Sequence, residues 1–375
     1  MKTSVGYIGV AILCIALFTG CFCLSTGNST FSAAITAQLD DAIAKQKEAL
    51  KLPGVVVGIW TPGEGYYLSA TGDANLATGE RRCLCEPFRI ASITKTFTAT
   101  AVLRLVDKGV LSTSDPLSDY LPDFPNADKI RIHDLLWMRS GIPDFADEEY
   151  LQYLYDNPLV EVSASEEIAR SAALTDRFEE PNQKTVYSNV NYTILGEIVR
   201  LATGKDIGET ITTEVLEPLG LHHTSYPDDT ALPGRLHGYS WNADANDFDD
   251  MTVLNPLWAG AGGGMISTLH DLKVFARALY KGDLLSEATQ AERLECMPFD
   301  FANGLMQYGE GIAKLGKFWG HDGTIFGFST EMWYLPEKDA VIVVNVNRLD
   351  EDDNSKSQKI FAEVAKIVFP DYVDW

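Results

Sequence analysis

The sequence predicts an α/β fold in which an antiparallel sheet is flanked by helices and joined to a mostly helical lobe. A helix pattern and two strand patterns open the chain, three strand patterns and a helix close it, and helix patterns dominate the middle. We therefore expect both chain ends to build one sheet of five or more strands. The α/β part would cover about 32–111 and 256–375, with the lobe at about 112–255.

The front of the chain shows four elements in order. Apolar residues recur at helical spacing through 35–50, and this helix ends before Pro53-Gly54. The apolar run 55–60 predicts a buried strand, and a glycine-rich turn leads to a returning strand at 66–71. From Thr94 onward the spacing predicts a largely buried helix that stops at Gly109.

The remaining elements follow from the same patterns. In the lobe, helices are predicted at 132–139, 148–170, 190–202 and 206–219. The glycine-rich stretch 258–267 lacks the spacing of a phosphate-binding loop and is expected to allow close backbone approach near a pocket. The end of the chain predicts a helix at 272–280, strands at 316–320, 327–335 and 340–346, and a helix at 357–368.

Composition indicates a chain that can bury a large core and carries a strong negative charge. It has 375 residues, 46% of them hydrophobic, and a formal net charge of −23. Such a charge argues against nucleic acid and anionic membrane surfaces as partners. The expected partner is a small-molecule or peptide substrate, and the sequence leaves the oligomeric state open.

The amino terminus predicts export. An apolar run at 5–18 follows Lys2 and leads to Cys21, in a setting that resembles a bacterial lipobox. We expect a signal peptide at 1–20, lipidation of Cys21 as the membrane anchor, a spacer at 21–31 and a hydrolase domain at 32–375. The localisation would be the cell envelope. Ordinary cleavage with secretion, or an uncleaved anchor, are the alternatives.

Other candidate sites stay secondary. Cys83 and Cys85 are too close together for a zinc knuckle, and they could pair with Cys296 or Cys23 or remain unpaired. The acidic residues around 247–250 and 350–353 lack calcium-loop spacing and are expected to be solvated loops. The sequence therefore predicts no metal site.

Three pieces carry candidate chemistry. Ser92 and Lys95 stand at i and i+3 at a helix start, where an amine can activate a hydroxyl nucleophile; the alternative is a helix cap with a lysine that reaches solvent. Tyr187-Ser188-Asn189 precedes an apolar helix. His321-Asp322-Gly323-Thr324 follows the strand predicted at 316–320.

The ordered set resembles the serine β-lactamase and penicillin-binding D-alanyl-D-alanine carboxypeptidase family, with its class C β-lactamase-like hydrolases and esterases. The similarity extends over nearly all of the chain from about residue 33 on, and its blocks lie at 88–97, 135–143, 187–196, 261–272 and 320–327. The resemblance implies a covalent acyl-enzyme without cofactor. The substrates implied are D-amino-acid peptides, then small esters or amides, then β-lactams.

The chemistry assigns roles to these residues. Ser92 would be the nucleophile, Lys95 or Tyr187 the general base, and Asn189 a ligand for a substrate amide and Lys95. The oxyanion hole would use the backbone N–H of Ser92 and, by resemblance, that of Thr324. By resemblance, His321, Gly323 and Thr324 would form the strand beside the substrate.

One residue departs from the family pattern. Asp322 stands where a hydroxyl is more typical, and it would repel a substrate carboxylate. It is also expected to raise the pKa of His321. This favours an ester, amide or capped substrate over a free carboxyl terminus. The alternative class is a non-catalytic penicillin-binding or cell-surface binding protein on the same scaffold.

Overall fold

The computed structural model describes residues 27–227, 229–299, 305–350, 355–373 and 375. Its strands, numbered in chain order, are β1 (Asn28–Ser29), β2 (Gly54–Thr61), β3 (Gly65–Asn75), β4 (Glu80–Arg81), β5 (Phe88–Arg89), β6 (Tyr239–Asn242), β7 (Asp247–Asp250), β8 (Ile266–Ser267), β9 (Met297–Pro298), β10 (Met306–Tyr308), β11 (Ala313–Leu315), β12 (Phe318–Ile325), β13 (Phe328–Leu335) and β14 (Ala340–Val346). The helices are α1 (Ala33–Ala49), α2 (Thr94–Asp107), α3 (Ile132–Leu136), α4 (Glu148–Asp156), α5 (Ala164–Ala173), α6 (Val190–Thr203), α7 (Ile207–Ile211), α8 (Glu217–Leu219), α9 (Gly260–Gly263), α10 (Leu269–Lys281), α11 (Glu287–Arg293) and α12 (Lys356–Val368).

Both ends of the chain build one antiparallel sheet, as predicted. The strand order is β1-β3-β2-β14-β13-β12-β11-β10-β9, with β4 also paired to β3. At the centre, Val57 of β2 lies opposite Val344 of β14, so the front hairpin joins the strands from the back of the chain. Continuous apolar runs in these strands are buried on both faces, which explains their Val- and Ile-rich sequence.

Helices cover both faces of the sheet and close the core. On one face α12 packs against β13, where the rings of Phe361 and Trp333 lie 5.8 Å apart. On the other face α10 packs against the sheet and against α2, where Phe97 and Phe275 stack. Helix α2 is buried over most of its surface because α6, α7, α9 and α10 pack around it.

The lobe differs from the prediction in three places. The helix predicted at 148–170 is two helices, α4 and α5, because a Ser163–Glu166 capping box starts α5 anew. The helix predicted at 132–139 ends at Leu136, since Met138 adopts a left-handed conformation. The lobe also contains the β6–β7 hairpin, so the acidic residues at 247–250 lie in a strand rather than a loop.

The back of the sheet also extends beyond the prediction. The strand expected at 316–320 starts and ends later, because β12 continues through Ile325 and therefore contains the His321–Thr324 motif. Aspartate and glycine are poor strand formers, which hid this extension. The short strands β9, β10 and β11 were not predicted.

The cysteines test one of the predicted pairings. Cys296 carries a free thiol, whereas Cys83 is disulfide-bonded, so the predicted pairing with Cys296 is wrong.

The amino-terminal predictions fall largely outside the described residues. The signal peptide at 1–20, Cys21 and Cys23 lie there. The last residues of the predicted spacer are not a free linker, because Asn28 and Ser29 pair with β3 at the edge of the sheet. None of the helices in the described ranges is long and apolar enough to cross a membrane.

Candidate active site

Ser92 lies in a single 3₁₀ turn, Ala91–Ile93, between β5 and the start of α2. Ala91 holds a positive φ of 47° immediately before it. A non-glycine residue in this region costs on the order of 1–3 kcal/mol and persists only when packing enforces it. The strained turn places the Ser92 hydroxyl at the helix start, where it lines a cavity.

Lys95 is fully buried one turn further along, and its ammonium has three hydrogen-bond acceptors. Nζ donates to Ser92 Oγ at 3.0 Å, to Asn189 Oδ1 at 2.8 Å and to the carbonyl of Gly262 at 2.8 Å. Burial lowers the pKa of Lys95 to about 7, although the carboxylates of Asp144 and others oppose the shift. A substantial fraction of Lys95 is therefore neutral near pH 7 and can accept a proton.

Asn189 reaches Lys95 because Asp144 holds its amide. Oδ2 of Asp144 accepts hydrogen bonds from the Asn189 backbone N–H at 3.1 Å and from its Nδ2 at 2.8 Å. One hydrogen of the side-chain amide and the backbone N–H are thus donated to Asp144, and Oδ1 accepts the hydrogen bond from the lysine. Asp144 directly follows the block at 135–143 that carries part of the resemblance, but it was not predicted as a site residue.

Tyr187 lies beside Lys95 with its aromatic ring, rather than its hydroxyl, next to the ammonium group. Lys95 therefore does not stabilise a Tyr187 phenolate through a hydrogen bond. The ring centroid is 4.9 Å from Lys95 Nζ. Burial raises the pKa of Tyr187 well above 10, and its interaction with Ser92 opposes this only in part. A phenolate at this position is therefore unfavourable, so the geometry and the pKa values favour Lys95 over Tyr187 as the proton acceptor.

His321 is buried behind Tyr187 and does not line the cavity. Its ring centroid is 6.3 Å from that of Tyr187, and Nε2 lies 3.2 Å from the hydroxyl of Tyr308. The expectation of a raised imidazole pKa is wrong. Burial lowers the pKa of His321 and outweighs the opposing effect of the Asp322 carboxylate, and the positive charge of Lys95 adds to the lowering.

Gly323 allows β12 to approach the nucleophile. A Cβ at this position would lie 2.2 Å from the carbonyl oxygen of Ile90 and 2.9 Å from the backbone nitrogen of Ser92. Only glycine fits so close to that turn. The next residue, Thr324, lines the cavity together with Ser92. Beyond Gly320, β12 has no neighbouring strand on this side within the described residues, so its backbone edge faces the site.

Asp322 is turned toward the opposite face of the sheet from His321. In the β12–β13 register it lies opposite Glu331, whose carboxylate accepts hydrogen bonds from Trp333 and Ser357. The side chain of Asp322 is 46% exposed, and its Oδ1 is 3.8 Å from His321 Nδ1. Asp322 therefore acts on the site through its charge at the strand edge, not as a lining residue.

A cavity of about 550 Å³ opens in front of Ser92. Apolar side chains form much of its wall, and polar groups lie near the nucleophile. None of the described residues that line it is arginine, lysine or histidine. The apolar part of the wall includes Phe145, Leu151, Trp258, Ile325, Phe326 and Leu349.

Several site residues were missed at the sequence level. Besides Asp144, the carbonyl of Gly262 binds Lys95, and Tyr308 links His321 to Tyr192. Glu167 lies buried on α5 and accepts a hydrogen bond from Thr193, a cavity residue. Burial raises its pKa to about 9. Only Gly262 had a signal in the sequence, namely the close backbone approach predicted for the glycine-rich stretch 258–267.

The fold matches that of solved structures. A D-stereospecific amidohydrolase from Streptomyces sp. aligns with a TM-score of 0.77 at 27% identity, over 90% of this chain and 98% of that one. D-amino acid amidase from Ochrobactrum anthropi SV3, complexed with D-phenylalanine, aligns with a TM-score of 0.79 at 26% identity, over the same shares. A penicillin binding protein from Bacillus halodurans gives 0.74 at 25% identity, over 87% and 99%.

Sequence comparison points the same way. Penicillin-binding protein 4* of Bacillus subtilis (strain 168) is 28% identical over 305 residues, which cover 75% of this chain and 65% of that protein. Protein flp of Staphylococcus aureus (strain COL) is 27% identical over 50% of this chain and 38% of its own length. The chain thus spans less than two thirds of these curated relatives. The Beta-lactamase family model matches residues 39–365, so the chain belongs to the Beta-lactamase family.

Proposed function

We propose that this protein hydrolyses amides or esters of D-amino acids through a covalent acyl-enzyme at Ser92. The observation that carries the proposal is the 3.0 Å contact between Ser92 Oγ and Lys95 Nζ, combined with the lowered lysine pKa of about 7. A hydroxyl becomes an effective nucleophile when a neighbouring base takes its proton. A binding protein that performed no chemistry would have no need for a buried, partly neutral lysine at this position.

The proposed reaction proceeds in two steps. Neutral Lys95 takes the Ser92 proton as Oγ attacks the substrate carbonyl, and the oxyanion binds the backbone N–H groups of Ser92 and Thr324. The bond from the carbonyl carbon to the leaving nitrogen or oxygen then breaks, and the leaving group takes the proton from Lys95. The proposed relay is the hydroxyl of Tyr187, which interacts with Ser92. Water next attacks the acyl carbon as Lys95 takes one of its protons. The bond from that carbon to Oγ then breaks, Lys95 returns the proton to Ser92 Oγ, and the acid leaves.

The charges around the cavity support substrates without a free carboxylate. No cationic side chain lines it in the described part of the chain, and Asp322 adds negative charge at the strand edge. Asp350 lines the cavity but is paired with Arg348 and Lys356. Glu148 lines it without an ion-pair partner among the described residues, so an ammonium group on the substrate would be favoured there.

The similar solved proteins support a D-amino-acid acyl group. Both the amidohydrolase and the amidase are named for D-configured substrates, and each aligns over 90% of this chain. The apolar wall of the cavity, with Phe145, Trp258 and Phe326, suits an apolar or aromatic side chain on that acyl group. Peptides that end in D-alanine and β-lactams are ranked behind these amides and esters.

A matched substrate panel tests the assignment. The panel would contain D- and L-phenylalanine amide, a D-alanyl-D-alanine peptide with a free or amidated carboxyl terminus, and a chromogenic cephalosporin. We expect the D-amide and the amidated peptide to be hydrolysed fastest. Replacing Asp322→Thr should raise kcat/KM for the free-acid peptide more than for the neutral substrate. Preference for the free acid by the unmodified enzyme would contradict the substrate proposal.

The exported, lipid-anchored state remains a proposal that rests on the sequence around Cys21. Intact-mass analysis of the protein from its native membrane should show a diacylated cysteine at residue 21 as the first residue. A Cys21→Ser variant should leave the membrane fraction. An unmodified Cys21 in mature protein would overturn the anchor and leave secretion.

A further inference from the structure

A second cluster of chemically capable side chains lies away from the catalytic cavity. His133 on α3, Glu292 on α11 and Glu310 in the turn between β10 and β11 each offer one donor atom, and these atoms lie within 4.8 Å of one another. None of the three lines the cavity in front of Ser92. The two glutamates lie close together in sequence, while His133 comes from a distant segment in the lobe, so the fold assembles this cluster.

Glu310 is the buried part of the cluster. Its side chain is fully shielded from solvent, and its Oε1 forms a 2.7 Å hydrogen bond with Nδ1 of His133. The other oxygen, Oε2, is buried without a hydrogen-bond partner. A buried carboxylate oxygen left unpaired is costly, so such an atom usually has a partner in the working protein.

The neighbouring cation does not supply that partner. Arg293 is buried next to the cluster, but its Nε donates to the backbone carbonyl of Glu310 and its Nη2 donates to Thr100. Two carboxylates therefore surround one imidazole, with a single guanidinium directed at other acceptors. The two carboxylates therefore favour the binding of an additional cation beside them.

We propose that His133, Glu292 and Glu310 bind a divalent transition-metal ion, with Zn²⁺ as the best-fitting probe. One imidazole nitrogen and two carboxylate oxygens, completed by water, form a donor set that zinc accepts, whereas Mg²⁺ and Ca²⁺ prefer oxygen ligands alone. Donors on tetrahedral zinc are about 3.5 Å apart, given metal–ligand distances near 2.1 Å. The exposed Glu292 side chain can close the remaining distance, and the metal replaces the proton between His133 and Glu310.

The site would act as a structural clamp. It joins helix α3 of the lobe to α11 and to the β10–β11 turn. Gly311, next to Glu310, donates its N–H to the carbonyl of Leu136, and a Cβ on it would lie 2.1 Å from Ala99 and 3.4 Å from the backbone oxygen of Lys95. The turn thus packs directly against α2, so a bound ion would stiffen the wall behind the catalytic lysine without touching substrate.

The test uses the full-length protein after treatment with a chelator. We expect calorimetric titration to show one equivalent of Zn²⁺ bound, with Mg²⁺ as the negative control. A hundredfold excess over the dissociation constant should raise the Tm by roughly 3 °C or more. Glu292→Gln should weaken Zn²⁺ binding about tenfold or more, and it should fold normally because Glu292 is exposed.

Glu295→Gln supplies the matched control, because Glu295 is an exposed glutamate three residues away that is not in the cluster. It should bind Zn²⁺ as tightly as the unmodified protein. Absence of Zn²⁺ binding would overturn the proposal. Equal affinity in the Glu292→Gln protein would do so too, since it would assign the ion to another site, such as the exposed His222-His223 pair.

Discussion

Asp144 orients Asn189 through a single carboxylate oxygen, which accepts both the backbone N–H and the side-chain amide of that residue. The same aspartate is the carboxylate that most strongly favours the charged form of Lys95. One side chain therefore controls the direction of the Asn189 oxygen and the proton affinity of the lysine. This double role makes Asp144 a sensitive point for testing the account.

Replacing Asp144→Asn should shift the acid limb of kcat/KM to lower pH. The substitution removes a negative charge that raises the pKa of Lys95, so the neutral lysine persists in more acidic solution. The measurement is a pH profile of kcat/KM with a neutral amide. Asp147→Asn is the control, because Asp147 lies only three residues further along the chain. It caps α4, and asparagine also caps helices. An unchanged limb in Asp144→Asn would contradict the assignment.

The pH profile of the unmodified enzyme should fall on the acid side with an apparent pKa near 7. Activity needs neutral Lys95, whose pKa is about 7, so protonation below that pH removes the base. Lys95→Ala should lose about 10²-fold or more in rate.

Tyr187→Phe distinguishes the two candidate bases. It should also lose about 10²-fold, through the lost proton relay, but should keep the acid limb in place. The raised pKa of Tyr187 keeps its hydroxyl protonated across this range, so its removal does not remove the titrating group. Disappearance of the acid limb in this variant would identify Tyr187 as the base instead.

Gly323→Ala should impair catalysis because it separates β12 from the nucleophile turn. The added Cβ would lie 2.2 Å from the Ile90 carbonyl oxygen, and the strand or the turn must move. A displacement of about 1 Å at the reacting groups can cost on the order of 10²-fold in rate. Steady-state kinetics beside Asp322→Ala, a change at the adjacent exposed position, would separate this effect from a general loss of the strand. Full activity in Gly323→Ala would be inconsistent with the proposed oxyanion hole.

Glu167→Gln should stabilise the protein at neutral and mildly alkaline pH. Burial raises the pKa of Glu167 from its ordinary value of 4.5 to about 9, so the folded protein holds a proton there that the unfolded chain releases. The stability attached to this proton is fully present below pH 4.5 and is lost as pH rises toward 9. Glutamine is neutral throughout and keeps an acceptor for Thr193.

Thermal unfolding between pH 5 and 9 measures this effect. The Glu167→Gln protein should lose less stability with rising pH than the unmodified protein. Glu166→Gln is the control, since its side chain is exposed and glutamine also completes a capping box. Parallel stability curves for Glu167→Gln and the unmodified protein would show that Glu167 is ionised in the fold.

Much of the fold could be predicted because it depends on local patterns. A β-branched composition predicts buried strands at 55–60 and 340–346, and the structure contains both. The extension of β12 through His321 and Gly323 could not be predicted, since its residues favour other conformations and tertiary packing decides. The break between α4 and α5 was encoded by the Ser163–Glu166 capping box but was overlooked.

Site residues that belong to recognisable sequence motifs could be predicted. Residues whose role depends on contacts between distant parts of the chain could not. Ser92, Lys95, Tyr187 and Asn189 meet in the structure as the ordered motifs suggested. The role of Asp144 depends on a contact across 45 residues of sequence that no local pattern encodes. The net pKa shift of His321 was mispredicted because the depth of its burial outweighs the visible neighbour, Asp322.

The most direct test of the account is covalent labelling of Ser92. The full-length protein would be incubated with a fluorescent penicillin or a phosphonate, digested and examined by mass spectrometry. We expect one modified residue, Ser92, with labelling retained in Ser240→Ala, which changes another hydroxyl that lines the cavity, and lost in Ser92→Ala. Labelling that persists in Ser92→Ala, or hydrolysis of the substrate panel at an unchanged rate by that variant, would contradict the central claim.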